Sequence, residues 1–215
     1  MATAVPAAVP AAVPAAVPAA VPAAVPAAVP AAVPGAVPAA VSTAVSTTVA
    51  AAVAAAAAFE HKLCAWSDLA ARARALPRPL VFTNGVFDLL HRGHVTYLAE
   101  ARALGASLIV GVNSDASVKR LGKGDDRPIN HEQDRMAVLA ALECVSLVVC
   151  FTEDTPLNAI LAAQPDVLVK GGDWSADKIV GAEQVRGWGG AVHSIPFRFE
   201  RSTTALLTKV RAQTG

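Results

Sequence analysis

Leu80-Val81-Phe82-Thr83-Asn84-Gly85-Val86-Phe87-Asp88-Leu89-Leu90-His91-Arg92-Gly93-His94 is the stretch on which the reading of this chain turns. Its first four residues are apolar or β-branched, the mark of a short buried strand. A glycine-bearing turn follows. Beyond it, residues 94–104 place Val95, Leu98 and Ala101 at helical spacing, and Gly105 supplies a C-terminal stop. A helix that starts at the end of a strand offers unpaired N–H groups and the positive end of its dipole, a natural seat for phosphate. Gly93 lets backbone or ligand approach closely. His91 and His94 stand three apart, so both imidazoles can face one side of the first turn and hydrogen-bond phosphate oxygens. Metal ligation is a rival use of His-x-x-His, but Asp88 is the only third ligand at hand, and no metal site is assigned.

Working outward, the same alternation recurs. Residues 66–75 read as a short helix stopped by Pro77 and Pro79. Ser107–Val112 is a second buried strand. Residues 131–142 form a helix for which Asn130 and Gln133 can make a reciprocal cap. Val145–Phe151 is a third strand, and Thr155-Pro156 opens the next helix. Val167–Lys170 and Ala191–Ile195 are the fourth and fifth strands, and Ser202 or Thr203 can cap a last helix to about residue 211. Strands that are apolar throughout and alternate with helices belong to parallel sheets covered on both faces. The fold expected is therefore α/β, a Rossmann-like three-layer sandwich with a five-stranded parallel sheet. Such sheets bind ligands beyond the carboxyl ends of their strands, which makes the loops after Thr83, Val112, Lys170 and Ile195 the expected rim of a site.

All 18 Lys/Arg and 17 Asp/Glu lie from Glu60 onward. The chain thus divides into a tail, residues 1–58, and one domain, residues 59–215. Prolines at 6, 10, 14, 18, 22, 26, 30, 34 and 38 close Ala-Ala-Val-Pro units or near variants. That four-residue period is low-complexity sequence, and each proline disfavours helix at the valine before it, so a disordered, extended spacer is expected. Residues 39–58 lose the proline but stay uncharged. A membrane span is disfavoured there because alanine is a weak anchor and flanking Lys/Arg or Trp/Tyr are missing on the N-terminal side. A secretory signal would need a basic segment ahead of the apolar run, and none is present. The net charge of +1 gives no broad field for nucleic acid or anionic membrane. Cys64, Cys144 and Cys150 form no metal or redox motif and read as small core residues of a protein in a reducing, cytoplasmic compartment.

Three further groups carry candidate chemistry. Lys119, Arg120 and Lys123, with Gly122 and Gly124, read as a mobile basic loop able to clamp a phosphorylated substrate; a solvated surface run is the alternative. Lys170-Gly171-Gly172-Asp173-Trp174 ends a strand, and its paired glycines would let a nucleotide base lie on backbone. Trp174 is either a platform for that base or part of the core. Ser202-Thr203-Thr204 stands at a helix start, either as another phosphate seat or as an ordinary cap.

The Gly-x-Phe-Asp turn followed by His-x-Gly-His resembles the (H/T)xGH nucleotidyltransferase superfamily, and within it the cytidylyltransferase-like branch. The resemblance runs from about Trp66 to Arg211. It includes Val112–Leu121, Arg127-Pro128-Ile129-Asn130, Arg135–Leu139, Phe151–Pro156, Val169–Trp174 and Ser202-Thr203-Thr204. Inside that branch the chain is most similar to enzymes that make ADP-heptose from ATP and D-glycero-β-D-manno-heptose 1-phosphate, alone or as the C-terminal half of a bifunctional protein with a sugar kinase upstream.

The resemblance implies a role in lipopolysaccharide core biosynthesis, with ATP as substrate and Mg²⁺ held mainly through its phosphates. It implies catalytic roles for His91, His94 and Lys119. Nucleotide contacts fall to Thr83, Asn84, Gly85, Phe87, Asp88, Gly93, Gly171, Gly172, Asp173, Ser202, Thr203 and Thr204, and secondary phosphate contacts to Arg120, Lys123, Arg127, Arg135 and Arg201. Glu200-Arg201 departs from the family, which usually carries a glycine and a small or aromatic residue there. The partners expected are small molecules only. A separate protein would phosphorylate the heptose, and self-association stays open.

A glycerol-3-phosphate cytidylyltransferase shares the turn, and other sugar- or polyol-phosphate nucleotidyltransferases are its near alternatives. Asn84, Asn113-Ser114-Asp115 and Lys170–Trp174 favour the heptose enzyme. A reading of another class is a non-catalytic nucleotide-binding module on a flexible arm, against which the intact His91 and His94 speak. Deleting residues 1–58 is expected to leave pyrophosphate release intact; a soluble but inactive truncation would contradict the division of the chain.

Overall fold

A computed structural model describes residues 58–122 and 127–199. The tail of residues 1–57, Lys123, Gly124 and the expected helix from Ser202 lie outside the described residues. Six strands form one parallel sheet in the order β1-β4-β3-β2-β5-β6: β1 Leu63–Cys64, β2 Leu80–Gly85, β3 Ser107–Asn113, β4 Leu147–Phe151, β5 Val167–Gly171 and β6 Ala191–Ile195. The helices are α1 Leu69–Ala75, α2 Arg92–Arg102, α3 Asp115–Arg120, α4 Glu132–Ala140, α5 Leu157–Ala163 and α6 Ala182–Gly187.

Strand side chains alternate between two apolar layers, as the pleat requires. Leu80, Phe82, Ile109, Leu147, Val149 and Leu168 pack with α1, α5 and α6 on one face. Val81, Leu108, Val110, Val112, Val148 and Val169 pack with α2 and α4 on the other. This is the three-layer Rossmann-like arrangement expected. Both faces are dry, which explains why the strands read as unbroken apolar runs.

The expected strand count is corrected from five to six. Leu63–Cys64 pairs with Val148–Val149 at one edge, and two residues are too few to show any periodicity. The expected basic loop is corrected too. Asp115–Arg120 is helical, capped by Ser114, whose side chain accepts from the Ser117 N–H. The expected cap between Asn130 and Gln133 is not made. His131 is the N-cap of α4 without a side-chain bond, and the Asn130 amide instead donates to the Asp88 carbonyl at 2.7 Å. Short helix α6 and a 3-10 turn at Ala176–Lys178 also go beyond the sequence reading. Among the described residues, no helix is long and apolar enough to cross a membrane.

Arg135 ties these pieces together. Its fully buried guanidinium donates to the carbonyls of Asn130, Val86 and Asn113 and to the Asp115 carboxylate, at 2.6–3.0 Å. Burial works to raise the Asp115 pKa, but the bonds from Arg135 and His131 more than offset it and hold the carboxyl below its usual range. Removing a buried charge while leaving its acceptors in place costs about 3–5 kcal/mol. Arg135→Met is therefore expected to lower the urea midpoint by a matching amount at unchanged slope, measured by equilibrium unfolding.

Candidate active site

The chain steps outward from β2 through β3 to β4, then returns to place β5 on the other side of β2. From there it steps the opposite way to β6. The reversal lies between β2 and β5, where open parallel sheets open a crevice at their carboxyl ends. A cavity of about 400 Å³ sits there. Asn84 and Gly85 line it from β2, Asn113 from β3 and Lys170 from β5. Trp174 and Lys178 border it, as do Asp154, Thr155 and Pro156 from the loop after β4, which was not part of the expected rim. The Lys170 ammonium lies 3.3 Å from Asn84 Oδ1.

The two histidines are at the start of α2 and are not among the residues that line this cavity. His91 is the extended N-cap residue and His94 sits in the first turn. Their rings stack with centroids 3.9 Å apart and planes 22° from parallel. Gly93 is needed between them: a methyl there would come within 3.0 Å of the His91 ring and of the Phe199 carbonyl. Phe87 holds φ at 50°, a left-handed conformation that costs a bulky residue on the order of 1–3 kcal/mol. It sets its ring edge-on to His94, 5.4 Å between centroids.

A family model described as cytidylyltransferase-like matches residues 82–209. The chain belongs to this family. The protein of Bordetella bronchiseptica named D-beta-D-heptose 1-phosphate adenylyltransferase is 59% identical over 157 residues, which cover 72% of this chain and 97% of that one. The bifunctional protein HldE of Pseudomonas syringae pv. syringae is 55% identical over 141 residues, 66% of this chain but only 30% of its own length.

Within this cytidylyltransferase-like site, several sequence candidates turn out to hold the protein itself. Asp88 is buried, accepts the N–H groups of Ile129 and Asn130 at 2.8 and 3.0 Å, and faces Arg127 at 2.5 Å. Arg120 pairs with Asp154 at 2.7 Å and donates to the Thr152 carbonyl. With Arg135, all three arginines expected to contact phosphate, among the described residues, stand in ion pairs with protein carboxylates. The Thr83 hydroxyl is buried against the Tyr97 hydroxyl at 2.5 Å. Gly171 faces the Phe197 ring: a methyl there would approach it to 2.6 Å. Gly172 has φ of 107°, which suits glycine, and brings the Trp174 indole back so that its Nε1–H donates to the Gly171 carbonyl. Trp174 is half-exposed at the cavity rim, not core. Asp173 is exposed beside it, and Lys119 is exposed at the end of α3. Lys123, Arg201, Ser202, Thr203 and Thr204 lie outside the described residues.

Lys170 is a cavity residue that the sequence reading named only as the start of a glycine motif, with no role of its own. Its signal was a charge ending an otherwise apolar strand, at the edge where ligands bind. Among the described residues, no group of three His, Cys, Asp or Glu is placed to hold a metal ion.

Burial pulls the His94 pKa down from 6.5 to about 4, and the neighbouring His91 pulls the same way. At neutral pH His94 is therefore an uncharged imidazole that donates through one ring nitrogen. Its NMR titration is expected near pH 4. Between 6.5 and about 4 the unfolded chain takes up a proton that the folded one refuses. Stability from this group is thus complete above pH 6.5 and declines as pH falls toward 4. His94→Gln should flatten that part of the stability–pH curve, measured by thermal melts.

Proposed function

We propose that this chain transfers AMP from ATP to D-glycero-β-D-manno-heptose 1-phosphate, giving ADP-heptose and pyrophosphate for lipopolysaccharide core synthesis. The observation that carries this reading is the 59% identity across almost the whole of the heptose 1-phosphate adenylyltransferase from B. bronchiseptica. The stacked histidines at a helix start support it physically.

In the proposed reaction an oxygen of the acceptor phosphate attacks the α-phosphorus of ATP in line. The bond from that phosphorus to the bridging oxygen breaks, and pyrophosphate leaves with the electron pair. A phosphate dianion is already nucleophilic, so no side chain has to remove a proton. The protein's task is to align two polyanions and to stabilise charge on the phosphoryl oxygens. The start of α2 supplies backbone N–H groups, and His91 and His94 supply neutral or singly charged donors, for the triphosphate. Ser202-Thr203-Thr204 and Lys119 add to that set by family resemblance. The cavity with Lys170, Lys178 and Asn84 receives the sugar phosphate, and Trp174 gives the sugar an apolar wall. Mg²⁺ arrives on the phosphates of ATP as part of the substrate. A sugar kinase must supply the heptose phosphate, and its need for ATP places the enzyme in the cytoplasm.

Incubation with ATP, Mg²⁺ and heptose 1-phosphate, read by mass spectrometry, should give ADP-heptose, while CTP should give little product. His94→Ala should lower turnover about 100-fold or more with the fold retained, the scale of losing one oxyanion donor. Lys170→Met should raise KM for the sugar phosphate more than for ATP. Turnover of CTP with glycerol 3-phosphate, and none of heptose 1-phosphate, would sink the proposal.

A further inference from the structure

The connection that leaves β6 crosses the first turns of α2. Phe197 sets its ring edge-on to His94, with centroids 6.3 Å apart and planes at 85°. It meets Tyr97 in a second edge contact at 5.5 Å and 64°. The ring also rests on Gly171, where added carbon would come within 2.6 Å of Cζ. Two further contacts fasten the same segment to the same helix. Arg198 Nε lies 2.6 Å from Glu100 Oε1, and the Arg92 guanidinium sits 3.8 Å above the Phe199 ring. Tyr97 is itself held through the Thr83 hydroxyl. His94 thus has three ring neighbours: Phe87 and Phe197 in edge contacts and His91 in a stack.

We propose that Phe197 is a positioning residue for His94: wedged between the Gly171 backbone and Tyr97, its ring forms the outer wall that holds the His94 imidazole in place and keeps water from it. Phe197 is 42% exposed, so it is a poor core residue. Its removal deprives the fold of little buried area but opens one side of the His94 ring. The tight fit on Gly171 gives that glycine a reason independent of any ligand: a side chain there would displace the Phe197 ring. Phe197 touches neither the reacting atoms nor the phosphates; it acts through the imidazole.

The test follows the His94 ring signals by NMR alongside turnover of ATP and heptose 1-phosphate. Phe197→Ala is expected to hydrate His94 and move its titration up from about 4 toward 6.5. It should also lower kcat roughly 10- to 100-fold, the scale of a small misplacement of a catalytic group, with little change in KM for the sugar phosphate. Phe197→Leu keeps an apolar body on Gly171 and should recover most of both effects; it also serves if the alanine variant fails to fold. Gly171→Ala should lower kcat by displacing the ring. In the double variant Phe197→Ala/Gly171→Ala the added methyl no longer meets a phenyl ring, only the Tyr97 ring at 3.2 Å, so the loss should fall well short of the sum of the two single losses. An unmoved His94 titration and normal kcat in folded Phe197→Ala would overturn the proposal, as would additive losses in the double variant. The kinetic readings rest on the adenylyl-transfer proposal. The NMR titration does not, so a protein inactive on heptose 1-phosphate can still decide the role of Phe197.

Discussion

The guanidinium of Arg135 has no exposure to water and four acceptors within 3.0 Å, drawn from the turn after β2, the end of β3, the start of α3 and the loop before α4. A buried cation tolerates no loss of partners, because each missing hydrogen bond leaves charge uncompensated in a low dielectric. The four segments are therefore fixed relative to one another. Asp88 adds a second tie of the same kind, its carboxylate spanning two backbone N–H groups and Arg127. Together these ionic contacts set the path of the turn that delivers Phe87, His91 and His94. The left-handed conformation of Phe87 persists in that setting because its surroundings over-determine it.

The ligand-binding region then divides by its wetness. His94 meets the Phe87 and Phe197 rings, and burial keeps it uncharged near neutral pH. The cavity at the carboxyl ends of β2 and β5 carries Lys170 and Lys178. On the proposed reaction, the histidine ring N–H groups would serve the triphosphate and the ammonium groups the acceptor phosphate. In this arrangement the protein supplies geometry and fixed dipoles, and the substrates bring the reactive groups.

Much of this was legible because it is local. Apolar runs such as Leu80-Val81-Phe82 and Leu147–Phe151 announce buried parallel strands, and the glycine-bearing turn after the first of them announces the start of a helix. The two-residue strand β1 was illegible, since pairing with β4 and not its own composition makes it a strand. Arg120, Arg127 and Arg135 looked like phosphate ligands because sequence shows charge but not what faces it. Each is answered by a protein oxygen contributed from a distant segment. The glycine at 171 was legible as a place of close approach, but the group approaching it is Phe197.

By itself, then, the sequence determined the layered parallel fold and the pairing of His91 with His94, since these follow from periodicity and from spacing within one turn. Only the tertiary structure decided which cations face the cavity, how dry His94 is, and which aromatic ring closes over it. Those properties depend on what distant segments bring to a point, and burial and pairing are set by three-dimensional neighbours that no local pattern encodes.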